Sequence, residues 1–421
     1  MLVLAGGTAA AQLLTAAAYP ILVRLFDPEE FGLFALFSAI SITFAGVASW
    51  RYEYAIVLAR TQEEAVNLLA LAMLLVFLTA IVGASGVIAF LGPELLRLLD
   101  AEAIMDYLWL LPLTASTWIS SYVLTFWGTR EGTFALISLS QIWRSLGTVV
   151  VQVGAGLLQL GVFGLILGMA LGSVSAALVL LHQFKGRWRS MALTVEWREM
   201  ARLARVHRDF PLYNTPTSVL NSTAVTIPVF LLAPLFGPAV AGLYWFTDRL
   251  LEMPMSMVGN AVRRVFYADA ADRFREDGAL FVPLLRTMAF LAALALPAAA
   301  VTILAGPQLF AIVFGHAWRE AGVFAQWLVL WWTFRFIAVP VHMLVPLLGL
   351  QRTFFLLELG TLPPRVAVLL LAAAHADALA AVAAYSFVGI ISSLACIAVV
   401  ILRVRRHDAA LSAGTALAVR P

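Results

Sequence analysis

The chain has 421 residues, of which 62% are hydrophobic and only 12% are charged, and its formal net charge is +3. A soluble core cannot bury so much apolar side chain, so the composition excludes a soluble globular protein and indicates lipid as the solvent. The small net charge argues against nucleic acid as a partner, and the single cysteine, Cys396, excludes an intramolecular disulfide and a cysteine-based metal site.

The apolar runs are close to the roughly 20 residues that a membrane-spanning helix needs. Because lipid cannot hydrogen-bond an exposed backbone, these runs predict an all-α polytopic membrane protein. About twelve spans are predicted, at residues 2–24, 32–58, 64–91, 104–126, 133–158, 160–183, 210–233, 239–263, 280–305, 322–350, 354–373 and 377–402. Of the lysines and arginines outside these spans or at their last residue, 18 fall on one side and 3 on the other. The positive-inside rule therefore predicts that both termini are cytoplasmic.

An internal repeat divides the chain. The sequence Leu-Phe-Asp-Pro at 25–28, followed by Gly32, recurs as Leu-Phe-Gly-Pro at 235–238, followed by Gly242. A second pair, Gly-Pro-Glu-Leu at 92–95 and Gly-Pro-Gln-Leu at 306–309, has nearly the same offset. An even number of spans per repeat gives both halves the same orientation. The predicted organisation is a six-helix bundle at 1–184, a cytoplasmic amphipathic linker at 185–209, a second six-helix bundle at 210–402 and a cytoplasmic tail at 403–421.

Ionisable residues inside spans are expensive and therefore informative about function. Arg144, Arg335 and Arg365 are central in their spans and have no carboxylate within four residues on the same helix. Their counter-ion must come from another helix or from a bound anion. Guanidinium groups bind phosphate oxygens in bidentate fashion and stay charged, so these three are the leading candidates for binding a multiply anionic ligand such as a diphosphate.

The other intramembrane arginines have simpler explanations. Arg51 and Arg286 lie toward the ends of their spans, where a long side chain reaches the interface. Arg249 is three residues before Glu252 and next to Asp248, which predicts a local ion pair as an alternative to ligand binding.

Carboxylates and histidines in the spans are candidates for ion coupling or for structural ion pairs. They are Glu53, Asp248, Glu252, Glu358, His182 and His342. His342 is seven residues from Arg335, and Glu358 is seven residues from Arg365, so each pair shares a helix face and both faces are expected to line the same interior.

Sugar-binding candidates come from an unusually polar span and a tryptophan cluster. Asn214 and Asn221 lie in the seventh span, which is rich in Ser and Thr and is interrupted by prolines, and Trp331 is available for stacking. Hydrogen bonding between helices and an interfacial aromatic belt are the alternatives. No phosphate-binding loop, zinc motif or large soluble loop with paired acids occurs, so neither an enzyme nor a cofactor or metal is predicted.

Several motifs resemble those of bacterial Wzx-type oligosaccharide flippases. They include Pro-Glu-Glu-Phe-Gly at 28–32, Arg-Tyr-Glu at 51–53, Arg-Asp-Phe-Pro-Leu-Tyr at 208–213, and Arg249 with Pro254. Such proteins form the polysaccharide-transport branch of the multidrug/oligosaccharidyl-lipid/polysaccharide superfamily. The resemblance implies two six-helix bundles around a central, cationic cavity, and it adds Arg24, Arg51, Glu53 and Arg249 as residues typical of the family.

The function implied by the resemblance is the translocation of undecaprenyl-diphosphate-linked oligosaccharides across the bacterial inner membrane for O-antigen or exopolysaccharide synthesis. Alternating access, coupled to an ion gradient, is the implied mechanism. The implied partners are this substrate, membrane lipids, and a polysaccharide polymerase with its chain-length machinery. The alternatives are a multidrug or cation antiporter, a lipid II flippase, and a membrane polysaccharide polymerase or ligase.

Overall fold

The computed structural model describes residues 2–86, 102–276 and 278–412, and all regular elements in these ranges are helical. The main α-helices begin with α1 (Leu2–Leu25), α2 (Pro28–Ala48), α3 (Glu53–Leu58), α4 (Gln62–Leu78), α5 (Leu111–Glu131), α6 (Phe134–Leu157), α7 (Gly161–Leu181), α8 (Trp188–Thr194), α9 (Trp197–Val206) and α10 (Thr215–Phe236). They continue with α11 (Pro238–Arg275), α12 (Phe281–Phe314), α13 (Arg319–Ile337), α14 (Val339–Leu347), α15 (Gln351–His375) and α16 (Ala378–Ser412).

Ten helical segments of the described chain are long and apolar enough to cross a membrane. The other two predicted spans, 104–126 and 239–263, correspond to α5 and α11, which are also long helices. Helix α5 is rich in serine and threonine, and α11 contains many charged residues. The prediction of an all-helical, multi-pass membrane protein is confirmed. The helices at the other two predicted spans are long enough to cross a membrane, but their polar residues make them less apolar than the ten segments above.

The contacts divide the chain into two compact units, residues 1–242 and 243–421. Helix α10 packs against α2 and so belongs to the first unit. The six-plus-six organisation with a boundary at 185–209 stays a prediction.

The first pair of repeated sequences meets in the structure. A Cβ atom added at Gly32 would overlap the carbonyl oxygen of Pro238, and one added at Gly242 would overlap that of Pro28. Equivalent positions of the two copies thus contact each other reciprocally, and only glycine permits this approach of two backbones. The copy at 92–95 lies outside the described residues.

The helix starts follow from local sequence. Asp27 caps α2 by accepting a hydrogen bond from the amide of Glu30 at 2.8 Å, while the Glu30 carboxylate accepts one from the Asp27 amide at 2.9 Å. This reciprocal capping box, with Pro28 in the first turn, fixes where the helix begins. Thr61 caps α4 by accepting a hydrogen bond from the amide of Glu64 at 3.1 Å.

A stripe of glycines on α7 brings this helix close to α6. A side chain at Gly164, Gly168 or Gly172 would collide with Ala155, Gln152 or Thr148 of α6, respectively. The Gln152 side-chain amide also donates to the Leu165 carbonyl at 3.0 Å. Small residues spaced four apart therefore allow the two helices to pack closely.

The predicted amphipathic linker forms two short helices, α8 and α9, packed on the first unit. Met200 and Leu203 of α9 are buried in the core around α4. The Asn67 side chain of α4 donates to the Thr194 carbonyl at 3.1 Å and accepts from the Glu196 amide at 2.9 Å. The apolar face of α9 is thus covered by protein, and its opposite face carries the charges.

Candidate functional site

The second unit contains a cluster of two arginines and several aromatic rings, here called the arginine–aromatic cluster. Arg335 comes from the last turn of α13 and Arg365 from α15, directly after a pair of prolines. The Arg335 Cζ atom lies 4.7 Å from the ring centroid of Trp332 and 5.7 Å from that of Trp331. The Arg365 Cζ atom lies 5.4 Å from Trp331 and 5.9 Å from the ring of Tyr385 on α16. Trp331 therefore lies between the two guanidinium groups.

Both arginines are cationic without a carboxylate partner among the described residues. The cation is instead attracted by the negative faces of the rings, at roughly 0.5 to 2 kcal/mol per contact. Arg335 is exposed, and Arg365 is half-buried with its Nε atom buried and without a hydrogen-bond partner. Most N–H donors of the two forks thus remain available to a ligand.

Asp248 of α11 is anchored to the cluster through Trp332. The indole Nε1 of Trp332 donates a hydrogen bond of 2.8 Å to the Asp248 Oδ1 atom. A carboxylate that accepts from an indole increases the electron density of the ring, which strengthens its attraction for Arg335 on the face. Asp248 is also near enough to Arg335 for a direct electrostatic attraction, although the two side chains do not form a salt bridge.

The rings of the cluster are fixed by edge-to-face contacts. The Trp331 and Tyr385 rings are 5.5 Å apart at 86°, and Tyr385 and Tyr244 are 6.3 Å apart at 86°. Gly389, one turn after Tyr385, lies against the Trp331 indole, and a Cβ there would come within 2.5 Å of Nε1. This glycine provides the space for Trp331, which is 6% exposed.

Trp331, expected to stack on sugar, is thus mostly occupied by protein groups. Sequence reasoning considered Trp332, with Trp327 and Trp331, only for stacking on sugar, and it missed Tyr385, Tyr244 and Gly389 as members of the cluster. The spacing of Tyr244 four residues before Asp248 was the one available signal, because it puts both on one face of α11.

The remaining candidates of the second unit lie on the surface or beside the cluster. Arg249 pairs with Glu252 at 2.8 Å, which is the local ion pair that the spacing predicts, and both side chains are exposed. Arg286 is exposed on α12. His342 packs against Phe354 with ring centroids 5.7 Å apart, and Glu358 and Arg335 are both near enough to act on it electrostatically. These three groups thus lie in one neighbourhood, but Arg335 and His342 are on different helices, α13 and α14, so the single helix face that the spacing predicts for them is interrupted.

In the first unit, Arg51 is bonded to protein groups. Its Nη1 atom lies 3.3 Å from Glu53 Oε1, its Nη2 atom donates to the hydroxyl of Ser218, and its Cζ atom lies 5.7 Å from the Tyr54 ring. Glu53 is fully buried, and its Oε2 atom has no hydrogen-bond partner. The backbone of Arg51 is left-handed, with φ of 61°, at the break between α2 and α3. Such a conformation costs energy for a residue with a side chain, and the ion pair stabilises it.

A cavity of about 170 Å³ opens beside this ion pair. It is lined by Ile42, Ala45, Gly46, Ser49, Arg51, Glu53, Trp118, Ile119, Tyr122 and Ser222. The cavity is lined by the buried carboxylate and is large enough for several waters or a small cation, but not for a large anion.

Arg144 also donates to a hydroxyl, that of Ser121 on α5. Its Nε atom is buried and has no hydrogen-bond partner, and no carboxylate of the described chain pairs with it. Arg24 is exposed in the last turn of α1. The structure therefore brings together Arg335 and Arg365 within the second unit, whereas Arg144, Arg51 and Arg24 belong to the first unit.

The polar helix α10 satisfies much of its own hydrogen bonding. The hydroxyls of Thr217, Ser222 and Thr226 donate to carbonyls four residues earlier, at 2.7, 2.8 and 3.0 Å. Asn214, in the π-helical turn before α10, and Asn221 are exposed. These two amides remain the accessible polar groups for a sugar. Within the described ranges, no group of three or more His, Cys, Asp or Glu side chains could hold a metal ion.

Comparisons with known proteins concern both the sequence and the fold. A family model described as "Polysaccharide biosynthesis protein" matches residues 21–322. No curated protein matches the chain in sequence. Among solved structures, the lipid II flippase MurJ in an inward closed conformation is similar, with a TM-score of 0.73 and 11% identity over 98% of this chain and 91% of that chain.

Two other solved structures share the fold. A multidrug resistance MATE family transporter of the MOP superfamily, in an inward-facing conformation, has a TM-score of 0.60 and 16% identity over 97% of this chain and 94% of that chain. A MOP superfamily transporter from Pyrococcus furiosus, described by a reverse polarity of its binding pocket that suggests a different function, has a TM-score of 0.58 and 15% identity. It is matched over 98% of this chain and 96% of that chain. At these identities the likeness establishes the fold alone, which is the one that these MOP superfamily transporters share.

Proposed function

The chain belongs to the polysaccharide biosynthesis protein family, and from this premise we propose that it translocates undecaprenyl-diphosphate-linked oligosaccharides across the bacterial cytoplasmic membrane. The observation that carries the proposal is the arginine–aromatic cluster of Arg335, Arg365 and the rings around them. Its cations lie in a membrane-spanning unit and form no salt bridge with a carboxylate of the described chain. A multiply charged anionic cargo would supply the negative charge that pairs with these two arginines.

The diphosphate is the part of such a cargo that fits two guanidinium groups. Each group presents donors in a planar fork that matches two phosphate oxygens, and a charge-assisted hydrogen bond contributes about 1.5 to 3 kcal/mol. The aromatic faces hold the forks in position before the ligand arrives, which reduces the entropy lost on binding. Arg365 would contribute its buried Nε–H, and Arg335 would contribute from the exposed side of the cluster.

The carbohydrate requires weaker and more adaptable contacts. Asn214 and Asn221 offer exposed amides, and their donors and acceptors suit sugar hydroxyls. Trp331 supports the arginines and contributes to the sugar contact at most through its edge, because little of its surface is free.

Coupling to an ion gradient is assigned to the carboxylates. Glu53 is the leading candidate because it is buried beside a cavity and one of its oxygens is unsatisfied. A proton or a cation at this oxygen would weaken its attraction for Arg51 and release the strained break between α2 and α3. Movement of this break would be one step of alternating access. Asp248 is a second candidate, and in this scheme Glu252 and Glu358 serve structural and electrostatic roles.

Multidrug transporters share this fold, and the charge of the transported molecule distinguishes a flippase of diphosphate-linked lipids from a cation antiporter. A cation antiporter would favour acidic groups at its binding site, whereas here two arginines form the cluster. A lipid II flippase shares the demand for a diphosphate site. A polymerase or ligase is disfavoured because the fold is that of transporters.

The test is deletion of the gene followed by analysis of surface polysaccharide and lipid-linked intermediates. We expect loss of one surface polymer and accumulation of undecaprenyl-linked oligosaccharide on the cytoplasmic face, with normal growth. Unchanged polymer and no accumulation would refute the proposal. Lethality with accumulation of lipid II would assign the cargo to peptidoglycan instead. A chromosomal copy with Arg335→Gln and Arg365→Gln should reproduce the deletion phenotype while the protein is still present in the membrane.

A further inference from the structure

A large apolar groove lies on the first unit, and none of the intramembrane arginines lines it. Its volume is about 530 Å³, within the range of roughly 300 to 1,000 Å³ that small-molecule sites occupy. It is enclosed by α4, α5, α7 and the linker helix α8. The lining includes Leu69, Met73, Leu124, Ala177, Leu181 and Phe184. At its open side, Phe77 and Leu178 are 49% and 62% exposed, so the groove is accessible from the lipid phase.

A polar cavity of about 170 Å³ continues the groove at one end. The two spaces share Val66 and Met191 in their walls. The polar cavity is lined in addition by Gln62, Glu63, Arg187, Ser190 and Thr194. An apolar space joined to a polar one has the shape of a site for a lipid, with a hydrocarbon chain in the groove and a headgroup in the polar cavity.

The charges of the polar cavity determine which headgroup fits. Arg187 donates to Glu131 at 3.1 Å and to the Gln183 carbonyl at 2.9 Å, which leaves three of its five N–H donors for a phosphate. Glu63 is exposed at the start of α4, and its carboxylate has no ion pair within the described part of the chain. Because Glu131 already offsets the charge of Arg187, Glu63 is the unpaired charge among the residues that line the cavity.

This arrangement favours a headgroup that carries both a phosphate and an ammonium group. The phosphate would accept from the remaining N–H donors of Arg187, because the Ser190 and Thr194 hydroxyls already donate to backbone carbonyls, whereas the ammonium would donate to Glu63. A purely anionic headgroup would be repelled by Glu63, and a quaternary ammonium has no N–H to donate. We propose that the groove and the polar cavity together bind one phospholipid with an ethanolamine headgroup. One acyl chain fills the groove and the other stays in the bilayer.

The position of this site connects the lipid to the linker. Met191, Ala192 and Val195, from α8 and its end, form one wall of the groove. An acyl chain in the groove therefore adds apolar contacts that hold α8 against α4 and α7. The lipid acts as a structural element of the first unit, distinct from the transported cargo.

The experiment is native mass spectrometry of the full-length protein reconstituted with equal amounts of phosphatidylethanolamine, phosphatidylcholine and phosphatidylglycerol that have identical acyl chains. We expect retention of phosphatidylethanolamine over each of the other two by about two- to fivefold, the effect of an exposed ion pair. Undecaprenyl phosphate is added in a second run. Equal retention of the three phospholipids, or a preference for phosphatidylglycerol or undecaprenyl phosphate, would overturn the proposal.

Two variants test the two parts of the site separately. Glu63→Gln should abolish the preference for phosphatidylethanolamine over phosphatidylcholine, and it should fold normally because the residue is exposed. Ala177→Trp fills the groove and should reduce lipid retention, whereas Leu371→Trp, at a position 60% exposed on the second unit, should leave it unchanged. Retention at the level of the unmodified protein in folded Ala177→Trp, or an unaltered preference in Glu63→Gln, contradicts the assignment.

Discussion

Arg51 in the first unit is bonded to a buried carboxylate, whereas Arg335 and Arg365 in the second unit lie on aromatic rings. A carboxylate neutralises the cation inside the protein, and the pair becomes part of the architecture. A ring attracts the cation through its quadrupole but leaves the charge and most of the donors unused. Arginines thus differ in their capacity to bind a ligand, because an arginine paired with a carboxylate has less free charge than one that lies on an aromatic ring.

The largest effect is expected at the ion pair of the first unit. Glu53→Gln removes the negative charge and leaves the mostly buried Arg51 without its partner, which should cost about 3 to 5 kcal/mol in the free energy of unfolding. Thermal unfolding of the purified protein in detergent measures it. The control is Glu252→Gln, because the pair of Glu252 with Arg249 is exposed and should contribute about 1 kcal/mol or less. Equal effects of the two variants would show that the buried pair is not part of the architecture.

A smaller effect in free energy, but one specific to ligand binding, is expected at the arginine–aromatic cluster. Arg335→Gln and Arg365→Gln should each weaken the binding of undecaprenyl diphosphate by about 10- to 100-fold, since each removes a charge-assisted contact of roughly 1.5 to 3 kcal/mol. Arg335→Lys and Arg365→Lys should recover only part of the affinity because the fork is lost. Equilibrium binding to the purified protein is the measurement. Arg286→Gln, an exposed arginine of the same unit, should change nothing.

The support of the cluster by Asp248 can be tested with Trp332→Phe. The ring is retained, but the N–H that donates to Asp248 is lost, so we expect a loss of about 1.5 kcal/mol in stability and weaker binding of the diphosphate. Trp327→Phe on the same helix, at a position 44% exposed, is the matched control. If both variants behave alike, the hydrogen bond to Asp248 does not position the cluster.

The smallest effect concerns a paired arginine outside the membrane-spanning segments. Arg202 pairs with Glu199 and Glu64 at 2.6 and 3.1 Å, and its hydrogen bond holds the pKa of Glu199 below the ordinary value of 4.5. A lowered folded-state pKa stabilises the fold above the unfolded value, and this contribution is lost as the pH falls through the folded-state value. The protection factors of the α9 amides, which correct for the pH dependence of intrinsic exchange, should therefore fall slightly below pH 4.5 at low salt. Arg202→Gln should show no such change.

Much of the site is predictable from the sequence because a charge in lipid is costly wherever it occurs. A central arginine without a carboxylate on its own helix needs an outside partner, and this rule alone selects Arg335 and Arg365. The same rule selects Arg144, whose partner is a serine hydroxyl. The rule shows that each of these arginines needs a partner from outside its own helix, but it does not show whether that partner is an aromatic ring, a hydroxyl group or a ligand.

The sequence by itself determined the helical class and the pair of repeated turns, because these depend on apolar run length, capping residues and glycines that are near neighbours in the chain. It also determined the pair of Arg249 with Glu252, which are one helical turn apart. Only the tertiary structure decided that Trp332 bonds Asp248, that Gly389 makes room for Trp331, and that Ser218 meets Arg51. These partners are 84, 58 and 167 residues apart, and helix packing, which no local pattern encodes, brings them together.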